Sequence, residues 1–460
     1  MNTKINANGI KIKDITPSDT FCIYPWMHSY QGCQYERKLC CISNDIEGHD
    51  KTPTEEFWNS EYMQQTRKDM LTGKEVKECE ACNKNERLGI KSLREEANEQ
   101  LERTPDPELA LDEMIGGTTP ENTVLDRKPS YYDYRTIHCN LQCVSCGGIY
   151  SSTHLTLQKT MWGVEPKFKP DYAYEADMAK EMIDGLNEKR IDNIYWAGGE
   201  PMMQPLHWKV IEHMVKLLNT PGYESFIKQV KMHYNTNLTK NEWKKQSVPK
   251  MLEPFQPSIQ ASLDGTHETL EYTRDGAKWA DIEKHWKEYH SLLDKHKQMG
   301  VATVLSAPVL FDIDRYLEFY GQFDPFLHPH YMFVTLSETI RNPGFLDIRW
   351  YPEDIFYDTI DKVQREMKAS GLRGSKKWIQ VTDGYKQEYK DFVRIPEELR
   401  KLKGIQLYRE QFCITKRTLS ELYAITNPQA QEWLDNIVPK WVNPYMKKRL
   451  EEEFGLDFSV

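Results

Sequence analysis

The sequence has no long hydrophobic run and no excess of positive charge. Nowhere do its 460 residues approach the roughly 18 consecutive apolar residues that a membrane-spanning helix needs. The first residues, Met1 to Asn8, lack the apolar core of a signal peptide. Acidic residues outnumber basic ones by 70 to 60, so the net charge of −10 gives no general attraction to nucleic acid. We therefore expect a cytoplasmic protein without a membrane partner, and a nucleic-acid partner is disfavoured.

The chain contains no internal repeat and no low-complexity tract, and its length favours two or three domains. Hydrophobic residues make up 39% of it, which is enough for a sizeable core. It has ten cysteines. Because thiols stay reduced in the cytoplasm, this number favours metal binding over disulfides.

Three of the cysteines, Cys139, Cys143 and Cys146, have the spacing C-x3-C-x2-C. Clustered thiolates are the ligands that proteins use for zinc and for iron–sulfur clusters. Zinc usually takes four protein ligands, and no fourth Cys or His follows closely. The preceding residues 132–137 alternate and are rich in aromatic and β-branched side chains, which predicts a strand with the thiols on the loop after it. On spacing alone, a reduced structural cluster or a zinc site remains the alternative.

Strand-like and helix-like segments alternate from residue 131 to about residue 337. The predicted strands are 131–137, 192–197, 229–235, 257–263, 301–306 and 331–336, and the predicted helices are 172–189, 204–218, 278–298 and 313–323. Strands separated by helices of this length form parallel βα units. Six units are too few for a closed eight-stranded barrel, so the expected fold is α/β, a partial (β/α)6 TIM barrel open on one side. A capping-box pattern at Thr239–Glu242 predicts one more helix start.

Glycine and polar residues follow the predicted strands, where barrel enzymes keep their chemistry. Two glycines allow the backbone to approach a ligand, a carboxylate accepts from an ammonium group, and an arginine can pair with a carboxylate bidentately. Plain turns and surface salt bridges are the alternatives, and Asn237 could instead cap the segment that starts at Thr239. The candidates are Gly198, Gly199, Glu200, Pro201, Asn237, Ser262, Asp264 and Arg274.

Together these motifs resemble the radical S-adenosylmethionine (SAM) enzymes, although Ser145 stands where that family usually has an aromatic residue. The resemblance implies that Cys139, Cys143 and Cys146 are catalytic and hold a [4Fe–4S] cluster whose fourth iron is chelated by SAM. It also implies the cofactor-binding residues: Gly198, Gly199, Glu200 and Pro201 for the SAM amino group, Asn237 for a further SAM contact, and Ser262, Asp264 and Arg274 near the ribose and the substrate.

A second group of thiols lies near the N-terminus, with the order Cys22, a Cys40-Cys41 pair, a helix from Thr54 to Gly73, and a CxxC. This order resembles the SPASM or twitch auxiliary-cluster module of radical SAM enzymes, although that module usually follows the barrel. The resemblance implies that a second [4Fe–4S] cluster is ligated by Cys22, Cys40, Cys79 and Cys82. Cys40 is preferred over Cys41, and a structural zinc ribbon is the alternative. The expected buried or free thiols are Cys33, Cys41 and Cys413.

The expected domains are an auxiliary module at 1–101, a linker at 102–130, the partial barrel at 131–340 and a helical C-terminal extension at 341–460. The linker assignment rests on many prolines, glycines and acidic residues. Helical spacing in the extension is seen at Phe356, Ile360, Val363 and Met367, and again around Trp433, Ile437 and Trp441.

The resemblance also implies a reaction. One electron from the reduced cluster breaks a carbon–sulfur bond of SAM, and the resulting 5′-deoxyadenosyl radical abstracts hydrogen from a substrate. Members with an auxiliary module often modify peptides, so a peptide or protein substrate is expected, with an electron donor such as a flavodoxin or ferredoxin. Two alternatives stay open: a radical SAM enzyme acting on a small metabolite, nucleotide or modified base, and a non-enzymatic metal-binding protein.

Overall fold

The computed structural model describes residues 9–392, apart from 144, 163–164, 167, 295–297, 331–347 and 351–352. The strands are β1 (His28–Gln31), β2 (Arg37–Lys38), β3 (Tyr131–Thr136), β4 (Asn193–Gly198), β5 (Lys231–Thr236), β6 (Glu242–Trp243), β7 (Gln246–Ser247), β8 (Ser258–Ser262), β9 (Met299–Val304) and β10 (Phe326–His330). The helices are α1 (Tyr24–Met27), α2 (Thr54–Trp58), α3 (Glu61–Leu71), α4 (Glu80–Arg87), α5 (Leu93–Asn98), α6 (Pro107–Ile115), α7 (Ser152–Trp162), α8 (Tyr172–Asn187), α9 (Pro205–Leu218), α10 (Glu224–Ile227), α11 (Val248–Leu252), α12 (His267–Thr273), α13 (Trp279–Leu293), α14 (Ala307–Phe311), α15 (Ile313–Tyr320), α16 (Glu353–Ser370) and α17 (Ser375–Phe392).

The described residues divide into two compact units. The first runs from the start of the described chain to Thr136 and also takes Pro170–Gly198 and Gln204–Met232. The second takes Ile137–Lys169, Gly199–Met203 and the described residues from His233 onward. The unit boundary therefore differs from the predicted domain boundaries, since the N-terminal segment and the first predicted barrel strands share one unit.

In the first unit, strands run in the order β2-β1-β3-β4. β1 is antiparallel to β2 and parallel to β3, and β3 is parallel to β4, with Tyr131 opposite Asn193. Alternation along these strands buries Tyr134 and Trp196, whose rings lie 6.1 Å apart. Trp196 also meets the ring of His207 on α9 at 5.0 Å. One face of this mostly parallel sheet is thus covered by helix, as parallel sheets require.

The N-terminal helices enclose an apolar core of their own, centred on Trp26, Phe57 and Trp58. The predicted linker at 102–130 contributes to this core: it forms α6, and its Leu111 and Leu125 are buried there. The reason is that α6 has the features of a regular helix. Pro107 stands at its first position, and the Asp106 side chain accepts from the Leu109 amide at 3.0 Å.

The second unit contains the parallel series β5-β8-β9-β10. Helix α15 buries Tyr316 and Tyr320, and the Tyr316 ring lies 5.2 Å from that of Trp378 on α17. Among the residues predicted to follow helical spacing, Phe356, Ile360, Val363 and Met367 fall on α16 and are fully buried. Predictions around Trp433, Ile437 and Trp441 lie outside the described residues, as does the predicted strand 331–336.

The α/β character and most predicted elements are confirmed to within a few residues. The helix predicted between Thr54 and Gly73 is two helices, because Ser60 begins a new one by accepting from the Met63 amide at 3.3 Å. The helix predicted from Thr239 is wrong. There the chain forms the β6–β7 hairpin, whose turn residues Lys244 and Lys245 have φ values of 47° and 66°.

Candidate active site

The predicted ligands Cys139, Cys143 and Cys146 come together in the second unit, on the loop that follows β3. Cys143 is buried, and the other two thiols are partly buried. The charges of Cys139 and Cys146 both raise the pKa of Cys143, and all three thiols lie on this one loop. Two backbone amides turn the loop inward: that of Cys146 donates to the Cys143 carbonyl at 3.0 Å, and that of Leu141 lies 3.5 Å from the Cys139 sulfur.

The start of α7 holds this loop in place. Ser152 accepts from the Cys139 amide at 3.2 Å, and Thr153 donates to the Leu141 carbonyl at 2.5 Å. His154 contacts the Cys143 carbonyl through Nε2 at 3.1 Å. The sequence does not predict the contacts of Ser152, Thr153 and His154. It does contain a signal for these contacts, because a run of hydroxyl residues follows the cysteines at the start of a helix.

Gly198 and Gly199 allow close approach of backbone to the first cysteine loop. A Cβ added at Gly199 would lie 2.4 Å from the His138 carbonyl oxygen and 3.0 Å from the Cβ of Cys139. Gly198 has φ +106°, which L side chains rarely adopt, and its Cβ would lie 2.2 Å from the Thr136 carbonyl oxygen. The pair is therefore required by steric fit at this point. Pro201 is buried and begins a turn of 3-10 helix, Pro201–Met203.

Glu200 is fully buried, and its carboxylate joins two loops. It accepts from the Thr236 hydroxyl at 3.0 Å, from the Asn237 amide at 2.7 Å and from the Met202 amide at 3.1 Å. Burial raises the pKa of Glu200 to about 7, although these donors act in the opposite direction. Its contacts in the structure are thus with the protein, and they fix the end of β5 against the Gly-Gly turn.

Asn237 lies at the centre of a small amide network. Its Oδ1 accepts from the Thr239 amide at 3.0 Å and from the Thr239 hydroxyl at 2.6 Å, while its Nδ2 donates to Asn140 Oδ1 at 3.1 Å. These bonds explain why no helix begins at Thr239, since the Thr239 side chain is already engaged. Asn140 and Thr236 were missed from the sequence, because their roles depend on loops 97 and 36 residues away.

Arg274 reaches from the end of α12 to the thiol loop. Its Nη2 lies 3.0 Å from Asp264 Oδ2, and its Nη1 lies 3.9 Å from the sulfur of Cys143. Burial by itself would lower the pKa of Arg274, but Asp264 and the nearby thiols outweigh it and raise that pKa. Asp264 is held in turn by the Val304 amide, which donates to Oδ1 at 2.7 Å. Ser262 ends β8, and no role for it emerges from this geometry.

Burial favours the neutral form of Cys139 and Cys143. It raises the pKa of Cys139 to about 11 and that of Cys143 well above its ordinary value, although Arg274 acts to lower the latter. Metal ligation requires thiolate, so a bound cation would displace these protons. Three converging thiols, a guanidinium beside one of them and a glycine turn against another fit a [4Fe–4S] cluster with one open iron.

In the first unit, the four predicted auxiliary thiols line one common cavity. Its lining consists of Cys22, Tyr24, Pro25, Leu39, Cys40, Met70, Cys79, Cys82, Leu93 and Arg94. Desolvation by burial raises the pKa of both Cys40 and Cys79 to about 12, and the neighbouring thiols contribute in the same direction. Four sequence positions up to 60 residues apart therefore face a common space.

The remaining cysteines lie elsewhere. Cys41 is exposed and does not line the cavity, whereas its neighbour Cys40 is buried there. Cys33 is buried away from the cavity, and Cys413 lies outside the described residues. Within the described ranges, no three His, Cys, Asp or Glu side chains are arranged to hold a single metal ion. No helix among the described residues is long and apolar enough to cross a membrane.

Comparison with known proteins gives one family match, to the Radical SAM superfamily over residues 134–307. No curated protein matches the chain. Among solved structures, native anSMEcpe with bound AdoMet is similar at 17% identity and a TM-score of 0.34, over 52% of this chain and 60% of that chain. Native anSMEcpe with AdoMet and Kp18Cys peptide gives the same values.

Another similar structure is Streptococcus suis SuiB bound to the precursor peptide SuiA, at 13% identity and a TM-score of 0.33, over 63% of this chain and 60% of that chain. The chain thus spans about 60% of the length of the first of these structures. The family match begins on β3, just before the thiol loop, and ends at the start of α14. It includes every second-unit residue of the geometry described above, from Cys139 to Arg274. Residues 134–307 are therefore similar to the Radical SAM superfamily.

Proposed function

We propose that the protein reductively cleaves SAM at a [4Fe–4S] cluster held by Cys139, Cys143 and Cys146, and abstracts hydrogen from a peptide or protein substrate. The observation that carries the cluster site is the position of Arg274 between the Asp264 carboxylate and the Cys143 sulfur. A largely buried cation beside a thiol favours the thiolate form that iron requires. The cluster and SAM, when bound, supply the radical chemistry.

The residues of the chain itself would bind and orient the cluster and SAM. Gly199 lets the β4 loop lie against Cys139, and Glu200 fixes the neighbouring end of β5 through Thr236 and Asn237. We infer that this turn receives the amino group of SAM, with Glu200 positioning the turn as well as supplying negative charge. Arg274 would balance charge on the Cys143 side, with Asp264 fixing its orientation. Asn237 and Ser262 are proposed to contact SAM at the ends of β5 and β8.

We further propose a second [4Fe–4S] cluster in the first unit, ligated by Cys22, Cys40, Cys79 and Cys82. The common cavity of these four thiols supports it, and the exposure of Cys41 supports Cys40 as the ligand from the pair. The first-unit core around Trp26 and Met70 gives the cavity a rigid, apolar surround. A cluster in this position would pass electrons or bind substrate.

The peptide or protein substrate is supported by the polar and aromatic face of β3 and β4 in the first unit. Arg135 pairs with Asp133 at 2.7 Å, and its guanidinium lies 4.7 Å from the centre of the Tyr195 ring. Tyr131 lies on the same face of β3 as Asp133 and is half-buried. Tyrosine rings beside a charged pair are suited to contact amide groups and side chains of an extended peptide. A flavodoxin or ferredoxin is the proposed electron donor.

Iron and sulfide analysis after anaerobic purification tests the cofactor assignment. Two four-iron clusters give about eight irons per chain, and one gives about four. Zinc in place of iron would overturn the proposal. Cys79→Ala should lower the content to about four irons and leave 5′-deoxyadenosine formation from SAM in place. The substrate class is tested by incubating the enzyme with SAM, a reductant and peptide or small-molecule pools, and measuring substrate-dependent 5′-deoxyadenosine.

A further inference from the structure

One cation lines the four-thiol cavity of the first unit. Arg94, on α5, faces this space together with Cys22, Cys40, Cys79 and Cys82, and its side chain is only 5% exposed. Its charge and those of Cys22 and Cys79 act on each other. A guanidinium cannot lose its proton at ordinary pH, so the cavity has a permanent positive charge at its wall.

Arg94 is held by helix α4, which includes Cys82 and begins directly after Cys79. Its Nε donates to Glu86 Oε1 at 3.0 Å, and its Nη2 donates to Glu86 Oε2 at 2.5 Å and to Asn83 Oδ1 at 2.9 Å. Glu86 and Asn83 both lie on α4. This paired geometry fixes the plane of the guanidinium against that helix.

The other side of Arg94 is tied to the loop of the first thiol. Its Nη1 donates to the Thr20 carbonyl at 3.2 Å, two residues before Cys22. One helical turn later, Asn98 accepts from the Ile23 amide at 3.0 Å and donates to the Phe21 carbonyl at 2.8 Å. Helix α5 therefore fixes the backbone on both sides of Cys22 and joins it to the helix of Cys82.

These contacts use four of the five N–H groups of Arg94, namely Nε, both on Nη2 and one on Nη1. The second Nη1 hydrogen has no partner among those contacts. Hydrogen bonds to sulfur and nearby charge are the means by which a protein sets the reduction potential of an iron–sulfur cluster. In a buried, low-dielectric site a full charge acts strongly.

We propose that Arg94 is a positioning residue that fixes Cys22 against the Cys79–Cys82 helix and raises the reduction potential of the cluster in this cavity. The inference rests on the second cluster of the proposed function. Reduction adds one electron, taken from the reductant, to the cluster and its four thiolates. A cation at the wall stabilises the added negative charge, so it favours the reduced form.

The test uses the full-length protein with Cys139, Cys143 and Cys146 all replaced by alanine, so that any remaining iron belongs to the first unit. Four proteins are compared in this background: unmodified, Arg94→Gln, Arg94→Lys and Arg87→Gln. Arg87 is the matched control because it lies on α4 but is 66% exposed and pairs with Glu75. Iron and sulfide are measured first, and then the midpoint potential by titration with a chemical reductant followed by electron paramagnetic resonance.

We expect about four irons in the unmodified background. Arg94→Gln should lower the midpoint potential enough to change the oxidised-to-reduced ratio at least tenfold at a fixed potential, which for one electron is about 59 mV. The midpoint potential of Arg94→Lys should lie between those of the unmodified protein and Arg94→Gln. That of Arg87→Gln should match the unmodified protein. Loss of iron in Arg94→Gln, with iron kept in Arg94→Lys, would equally support the positioning role.

Two results overturn the inference while leaving the second cluster in place. One is an Arg94→Gln protein with about four irons and an unchanged potential. The other is an equal shift in Arg87→Gln, which would mean that any lost charge has the same effect. Absence of iron from the unmodified background would instead overturn the second cluster itself, and the role of Arg94 with it.

Discussion

The guanidinium of Arg274 lies 3.0 Å from the carboxylate of Asp264; the Asp264 side chain is buried and that of Arg274 is only 13% exposed. Two loops that follow different elements, β8 and α12, thereby meet beside the thiol loop. Asp264 also accepts from the Val304 amide, so its carboxylate links three segments of the second unit. A charge pair in this position has both a structural and a chemical consequence, and the two can be measured separately.

Asp264→Ala should destabilise the protein. It leaves Arg274 buried without its partner and the Val304 amide without its acceptor, and breaking a buried pair in this way costs about 3–5 kcal/mol. Chemical denaturation monitored by circular dichroism measures the free energy of unfolding. Glu75→Ala, which breaks the exposed pair with Arg87, is the control and should cost less than about 1 kcal/mol. Equal effects of the two variants would contradict the structural role given to Asp264.

Gly199→Ala should prevent the first cluster from assembling fully. The new Cβ would lie 2.4 Å from the His138 carbonyl oxygen, so the loop that bears Cys139 must move. Iron content after anaerobic purification should fall by about four irons per chain relative to the unmodified protein. Gly222→Ala is the control: its φ of +82° disfavours alanine, but the added Cβ would meet nothing within 4 Å, so it tests the effect of backbone strain alone. Normal iron content in Gly199→Ala would show that the close approach is unimportant.

The two thiols of the Cys40-Cys41 pair should behave differently. Cys40 is buried in the four-thiol cavity, whereas Cys41 is exposed outside it. Cys40→Ala should therefore remove the iron of the first unit, about four atoms per chain, and Cys41→Ala should remove none. Iron and sulfide analysis of the two variants gives the answer. The reverse pattern would assign the ligand to Cys41, and equal loss in both would contradict the cavity as the site.

How much of this site the sequence predicts depends on the range of the interactions. Cys139, Cys143, Cys146 and the Gly-Gly-Glu turn are predicted from local spacing, because each of the two motifs lies within a few residues of the chain. Thr236 and Asn140 are not found, because each acts through a hydrogen bond to a distant loop. Such partners are fixed only when the strands have been placed side by side.

The fold follows the same division. The period of two in β3 and of 3.6 in α15 is local and predicts both elements correctly. Segment 102–130 was predicted as a linker from its prolines, glycines and acidic residues, yet Leu111 and Leu125 lie in the N-terminal core. The composition describes the segment as a whole, whereas its packing depends on the burial of two leucines. At Thr239 a side-chain bond to Asn237 outweighs the local capping pattern.

Glu200 should make stability depend on pH. Burial raises its pKa to about 7 from an ordinary value of 4.5, so the neutral form is favoured in the folded state. This contribution to stability is complete below about pH 4.5 and is lost as the pH rises through about 7. The difference in unfolding free energy between Glu200→Gln and the unmodified protein should therefore shift by up to about 3 kcal/mol in favour of the variant between about pH 5 and 8.

Denaturation of both proteins without added SAM, in the same buffers, gives that difference. Glu200→Gln should also lose stability by a pH-independent amount, because its hydrogen bonds to Thr236 and Asn237 are changed. Only the change of the free-energy difference with pH therefore tests the pKa of Glu200. A difference that stays constant, or that moves against the variant as the pH rises, would mean that Glu200 is charged across this range.

The central claim is that SAM is cleaved at the cluster held by Cys139, Cys143 and Cys146. Its most direct measurement is 5′-deoxyadenosine formed from SAM and a reductant by the anaerobically purified protein, compared with Cys143→Ala and with Cys41→Ala as an exposed-thiol control. The account predicts formation by the unmodified protein and by Cys41→Ala, and none above background by Cys143→Ala. Formation by Cys143→Ala at the unmodified rate would contradict it.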